Sequence, residues 1–177
     1  MKLEQVSTTI NPTDYKIFCD LDGVLVDFDT TTEKITGVDV HAAMHDKKLK
    51  RIFWQRLSAY SEQGKNKTWE IMNPMHDAQE LWNYIKKYNP TILSATGKVP
   101  SEQIVTAEKH VWIKKHLGNV PTILVQTGAD KAKYATPTGI LIDDKYKALN
   151  PWIAAGGIGV LHTSAANTIK QLKELGL

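Results

Sequence analysis

The sequence predicts an α/β fold: a parallel sheet with helices on both faces, and a small helical cap inserted after the first strand. Three observations carry that prediction. From residue 90 onward, short apolar runs alternate with amphipathic stretches, the rhythm of βα units. Earlier in the chain one apolar run, Ile17–Cys19, is separated from the next, Thr91–Leu93, by a long block with helical spacing only. Residues able to do chemistry also stand at the ends of the expected strands: Asp20, Ser94, Asp143 and Asp144. Ligands of open parallel sheets bind outside those ends.

Taken in order, Ile17–Cys19 is the first strand. Asp29–Ile35, Ala42–Tyr60 and Asp77–Tyr88 read as helices, with Leu49, Ile52, Phe53 and Leu57 spaced for one buried face. Asp77 is the expected N-cap of the third, with Glu80 in its first turn. Thr91–Leu93 is the second strand, and helix Ser101–Leu117 follows, stopped by Gly118. Strand Thr122–Val125 comes next, then a short helix near Asp130–Tyr134 and strand Ile140–Ile142. A helical or irregular segment runs to Ala155, and strand Ile158–Leu161 and helix Ala165–Leu175 finish the chain. The expected organisation is a core formed by residues 1–27 and 76–177 and a cap formed by residues 28–75. The cap has too few apolar residues to be an independent domain, and no repeat, low-complexity tract or long linker interrupts the chain.

At 177 residues the chain can bury one substantial core. Its net charge of +3 mildly favours anionic small molecules and does not suggest stable nucleic-acid binding. The single cysteine, Cys19, excludes an internal disulfide and suits a reducing cytoplasm. Met1 to Thr13 contains no apolar core of a signal peptide, and no run is long enough to span a bilayer, so no membrane association is expected. The chain could be a monomer or a homodimer.

The most informative stretch is Lys16-Ile-Phe-Cys-Asp20-Leu-Asp22-Gly23-Val-Leu-Val-Asp27-Phe28. It brings two carboxylates, one residue apart, off the end of a strand. Placing like charges side by side is costly unless a proton or a cation intervenes. Hard carboxylate oxygens point to magnesium as that cation. Gly23 allows a tight turn beside the pair and is expected to leave backbone amides free for an anion.

This stretch resembles the first motif of the haloacid dehalogenase superfamily, an apolar strand followed by Asp-x-Asp-Gly. Pro90-Thr-Ile-Leu-Ser94 resembles the second motif, and Gly139-Ile-Leu-Ile-Asp143-Asp144 resembles the acidic fourth. The likeness is closest to the 5'(3')-deoxyribonucleotidase-like branch, through Asp20-x-Asp22-Gly-Val-Leu-x-Asp27-Phe28, Glu108-Lys109-x-x-Trp112-x-x-Lys115-x-Leu117-Gly118 and Leu141-Ile142-Asp143-Asp144. The resemblance implies a magnesium-dependent phosphatase with a Rossmann-like core. Asp20 would be the nucleophile and Asp22 the acid/base. Magnesium would be held by Asp20, the Asp22 backbone carbonyl and Asp144, with Asp143 binding directly or through water. Ser94 would donate to a phosphoryl oxygen. The motif-three lysine, which neutralises Asp20 and the phosphoryl group, is Lys109 by its surrounding residues, with Lys131 as its rival.

The same resemblance implies a small phosphorylated substrate, a nucleoside monophosphate, with Phe28 placed against the base or else packed in the cap. Trp54 and Trp69 are cap aromatics of the same two readings. Two other activities stay open: removal of 3'-phosphates from nucleic-acid ends, using the run Lys47-Lys48-Leu49-Lys50-Arg51, and a catalytically silent binding protein on this fold. His41 and His45 lack a partner glutamate and read as a surface pair. Cys19 alternates with Asp20 on the strand and reads as core.

Overall fold

A computed structural model describes residues 14–62, 68–97 and 102–177. Residues 1–13 and Ser101, where a helix was expected to begin, lie outside the described residues. Five strands form one sheet: β1 (Lys16–Cys19), β2 (Thr91–Ala95), β3 (Thr122–Val125), β4 (Gly139–Asp143) and β5 (Ile158–Leu161). Their order is β3-β2-β1-β4-β5 and all four pairings are parallel. β1 is central, so the Asp20 end of the strand opens between its neighbours β2 and β4.

Both faces of the sheet are covered, and the alternation of strand side chains explains why. Ile17, Cys19, Ile92, Ile140 and Ile142 belong to one apolar cluster with Leu81, Ile85, Trp112 and Leu172. Those partners stand on α4 (Ala78–Ile85), α5 (Glu102–His116) and α7 (Ala165–Glu174). Phe18, Leu93 and Leu141 point the other way, into a second cluster with Ala148, Leu149 and Trp152 of α6 (Tyr146–Ala154). The segment after Asp144, left between helical and irregular, is therefore a helix, and it carries Pro151 inside it.

The cap contains α1 (Phe28–Thr36), α2 (Val40–His45) and α3 (Lys47–Glu62). One long helix was expected over Ala42–Tyr60; two form. Asp46 is the cause: its backbone is extended, and its Oδ1 accepts from the amides of Lys48 and Leu49 at 2.7 and 2.8 Å. That cap starts a new helix where the old one ends. Asp27 and Asp39 cap α1 and α2 in the same way. Asp77 stands at the start of α4 but makes no cap bond to that helix. Its Oδ2 accepts from the amide of Ala165 at 2.7 Å instead, tying α4 to the first turn of α7. Val38, Val40, Ala43, Phe53 and Leu57 of the cap join the same cluster as the sheet residues, so cap and sheet share one core. The two ends of the insertion are clasped by Asp27 N–H to Asn73 O and Met75 N–H to Leu25 O, each 2.9 Å.

Candidate active site

The site is built at the end of β1. The amide of Asp20 still donates to Ile142 O at 3.0 Å, so Asp20 is held in register with β4. The chain then folds back sharply. Leu21 O accepts from the amides of Val24, Leu25 and Val26 at 2.8–3.0 Å, which drives Val24 and Leu25 into the core. Gly23 sits in the bend at φ +80°, and a Cβ there would run into the carboxylate of Asp144, 2.7 Å from its Cγ. Gly23 is needed for that reason. Of the turn's backbone amides, its own donates to Val26 O at 3.0 Å.

Two fully buried lysines divide the charge. Lys131 Nζ lies 2.9 Å from Asp20 Oδ2 and 2.6 Å from Asp143 Oδ2. Lys109 Nζ lies 2.6 Å from Asp22 Oδ2 and donates to Ser94 Oγ at 3.0 Å. The preferred partner of Asp20 had been Lys109; the ion pair on Asp20 is made by the rival, Lys131. Lys131 comes from the 3-10 turn Gly128–Tyr134 after β3. Lys109 comes from the buried face of α5, with its ammonium 5.7 Å from the Trp69 ring centroid. Beyond Ser94, the amides of Thr96 and Gly97 donate to Val125 O and Gln126 O, so those groups belong to the sheet edge rather than to a phosphate cradle.

The two β4 carboxylates differ. Asp143 is satisfied on both oxygens, by Lys131 and by the amide of Lys145 at 2.9 Å. Among the described residues Asp144 meets only the exposed Lys145 ammonium, at 2.7 Å, and its buried Oδ1 has no partner. Asp22 Oδ1 is likewise buried and has no partner among the described residues. Carboxylate oxygens of Asp20, Asp143 and Asp144 lie within 4.8 Å of one another. An orphaned carboxylate oxygen amid hard oxygen donors fits a divalent cation such as magnesium.

The environments push the carboxyls apart. Burial would raise Asp20, but Lys131, then Lys109, and hydrogen bonds from Lys131 and Ser94 hold it below the ordinary carboxylate range. Asp22 goes the other way, because its burial outweighs Lys109. Burial also raises Asp144, and burial together with the Asp20 charge raises Asp143 to about 7. Cys19 is pushed up by burial and the Asp20 charge, which leaves it an inert core thiol.

A pH prediction follows for the protein held in chelator. The folded Asp143 binds a proton more tightly than the unfolded one, so its contribution to stability is present below its unfolded value near 4. That contribution is lost as pH rises through about 7. The lowered Asp20 acts at more acid pH and does not oppose this window. Melting temperature in chelator should therefore be lower at pH 8 than at pH 5.5. Magnesium, which needs deprotonated ligands, should raise it more at pH 8. Identical magnesium shifts at the two pH values, or none, would remove the cation from this cluster.

The aromatic residues stand at the cap side of the site. Phe28 is half-buried and faces Trp69, Phe53 and Trp54, with ring centroids 6.0, 6.3 and 6.5 Å away. Trp69 is buried, its amide donating to Glu108 Oε2 at 2.8 Å. His41 and His45 are exposed on α2 with rings 4.7 Å apart, away from the carboxylate cluster.

No family model and no curated protein sequence matches the chain. Solved structures do match. A hydrolase from Streptococcus pneumoniae TIGR4 superposes with a TM-score of 0.54 at 15% identity, over 90% of this chain and 98% of that one. A haloacid dehalogenase-superfamily hydrolase from Ehrlichia chaffeensis gives 0.58 at 12% identity, over 92% and 97%. The L-2-haloacid dehalogenase of Xanthobacter autotrophicus gives 0.52 at 12% identity, over 82% and 76%. At such identities the likeness is one of fold, the Rossmann-like fold of these hydrolases. Among the described residues no helix is long and apolar enough to cross a membrane.

Proposed function

We infer that the protein is a magnesium-dependent phosphomonoesterase working through an aspartyl phosphate on Asp20, with nucleoside monophosphates as substrates of a 5'-nucleotidase activity. The observation that carries this reading is the division between Asp20 and Asp22. One carboxyl is held ionised by Lys131 and the other is held protonatable by burial, two residues apart. Carboxyls driven apart in this way are how one site runs nucleophilic and acid/base steps together.

In the first step an Asp20 oxygen bonds to phosphorus as the ester P–O bond breaks, and the departing oxygen takes the proton from Asp22. Asp22 Oδ2 is held by Lys109, so Oδ1, without a partner among the described residues, is the oxygen that would carry the proton. In the second step water attacks the phosphorus, gives its proton to Asp22, and releases phosphate and free Asp20. Ser94 accepts from Lys109, and its hydroxyl proton, directed at Asp20 in the free protein, would turn to a phosphoryl oxygen. Asp20, the Asp22 backbone carbonyl and Asp144 would hold magnesium, which when bound would supply charge neutralisation for the transferring group. Asp143, occupied on both oxygens, acts on Lys131 and through water. The fold alone does not choose this chemistry, since a haloacid dehalogenase shares it. The orphaned Asp144 oxygen favours it, because halide displacement leaves a cation site without a use.

The nucleotide reading rests on Phe28 at the cap entrance. Phosphate release should be screened over nucleoside monophosphates, sugar phosphates and para-nitrophenyl phosphate. Phe28→Ala should lower kcat/KM on the best nucleotide by about tenfold or more, the size of one lost base–aromatic stack. Its rate on para-nitrophenyl phosphate should change much less. Equal losses on both in a folded variant would make Phe28 a cap-core residue. A wild type that prefers simple phosphates would remove the nucleotide and keep the phosphatase.

A further inference from the structure

A stripe of aromatic and cationic side chains leaves the site along the cap. It begins at Lys109, under Trp69, and passes through Phe28 to Trp54. Phe28 and Trp54 are only half-buried. From Trp54 the stripe continues on α3: Arg51, Lys50 and Lys47 precede it by three, four and seven residues, which puts all of them on one helix face. The three cations are exposed, and none is in an ion pair among the described residues. The neighbouring Asp46 has its Oδ1 taken by the amides of Lys48 and Leu49 and is in no ion pair among the described residues. In the free protein this arrangement is unfavourable. Lys47 repels Lys50 and Arg51 at i+3 and i+4, and the Asp46 cap offsets only part of the cost of placing cations in the first turn of α3. Local rules broken with only partial internal compensation are a mark of function.

We propose that this stripe is a track for single-stranded polynucleotide. The terminal phosphate enters the crevice, a base lies against Phe28 and Trp54, and the following phosphates lie along Lys50, Arg51 and Lys47. The terminal step rests on the phosphatase reading; the track does not. Binders of single strands without sequence preference combine cations that follow the backbone with aromatic faces for the bases. An acidic peptide would use the cations and leave the rings idle. From Lys47 to Trp54 the helix rises about 10 Å, room for a few nucleotides. The contact is therefore short and transient, in keeping with the mild net charge of the whole chain.

The test is fluorescence anisotropy with a labelled, unphosphorylated oligothymidylate, which is not a substrate, over a salt series. Wild type should bind with log K falling against log salt at a slope of about −2, three phosphates at roughly 0.7 each. The triple variant Lys47→Ser/Lys50→Ser/Arg51→Ser should bind at least about tenfold more weakly with a slope near zero. An abasic strand and polyglutamate should both compete poorly. Equal binding by wild type and triple variant overturns the proposal, as does full competition by the abasic strand or polyglutamate. In parallel, the triple variant should lose kcat/KM on a terminally phosphorylated oligothymidylate and keep it on a mononucleotide. Cation-dependent binding without phosphate release from any monoester would sink the phosphatase reading and leave the track standing. Mononucleotide hydrolysis without cation-dependent strand binding would sink the track alone.

Discussion

Asp20→Asn should fold and be inactive. The amide is close to isosteric with the carboxylate, and Lys131 keeps Asp143 as a partner at 2.6 Å, so the core has no reason to open. What disappears is the charge that attacks phosphorus. Removing a covalent nucleophile costs on the order of 10⁴-fold or more in kcat, and a loss of that size is expected on every phosphomonoester. Asp22→Asn should fail differently. Its side chain holds no proton to give a departing alkoxide, but a good leaving group such as para-nitrophenolate needs none. Phosphate should then accumulate on Asp20, because the water of the second step finds no base. Intact-mass measurement of Asp22→Asn after mixing with para-nitrophenyl phosphate reads this directly as an added phosphoryl group. Turnover by folded Asp20→Asn within tenfold of wild type would end the covalent mechanism.

The fold was legible because its signals are local. Each strand is a short apolar run, and each strand end carries the residue the crevice needs, so Asp20, Ser94, Asp143 and Asp144 could be grouped before any geometry was known. The sheet then puts β1 between β2 and β4, where those ends meet. Pairings across the sheet were not legible. Lys109 and Lys131 both precede Asp143 in the chain, and only the turn after β3 decides that Lys131 reaches Asp20. Motif context favoured Lys109, whose buried position on α5 leads to Asp22 and Ser94. The partner of the Gly23 amide was not legible for a related reason. A glycine in a bend advertises its φ angle, not the acceptor that its N–H will find, and here Val26 O lies on the other side of the loop.

Capping gives a sharper version of the same lesson. Asp46 is preceded and followed by helix-forming residues, so periodicity carries straight through it. The break comes from a side chain that satisfies two amides at once. That event is visible in sequence only as an aspartate two residues before Lys48, a weak signal among several. Asp77 carries the stronger cap signal and spends its hydrogen bond on another helix. In both places a short polar side chain chooses among nearby amides, and tertiary packing supplies the amide that wins.

The largest effect on stability is expected at Lys131. Its ammonium is the only cation within ion-pair distance of Asp20 or Asp143 among the described residues, and it is 1% exposed. Lys131→Met fills a similar volume and leaves two buried carboxyls facing each other. Removing one partner of a buried charge group costs about 3–5 kcal/mol, because the charge left behind is neither solvated nor paired. In chelator at pH 8, urea denaturation of Lys131→Met should show a loss of that order. The loss should shrink at pH 5.5, where one carboxyl takes a proton and the repulsion ends. Magnesium should restore part of it at pH 8 by replacing the missing positive charge. Lys109→Met should cost less, since Asp22 is a quarter exposed and already inclined to bind a proton. A loss for Lys131→Met below about 1 kcal/mol in chelator, or one no larger than that of Lys109→Met, would mean that Lys131 does not hold the carboxylate cluster together.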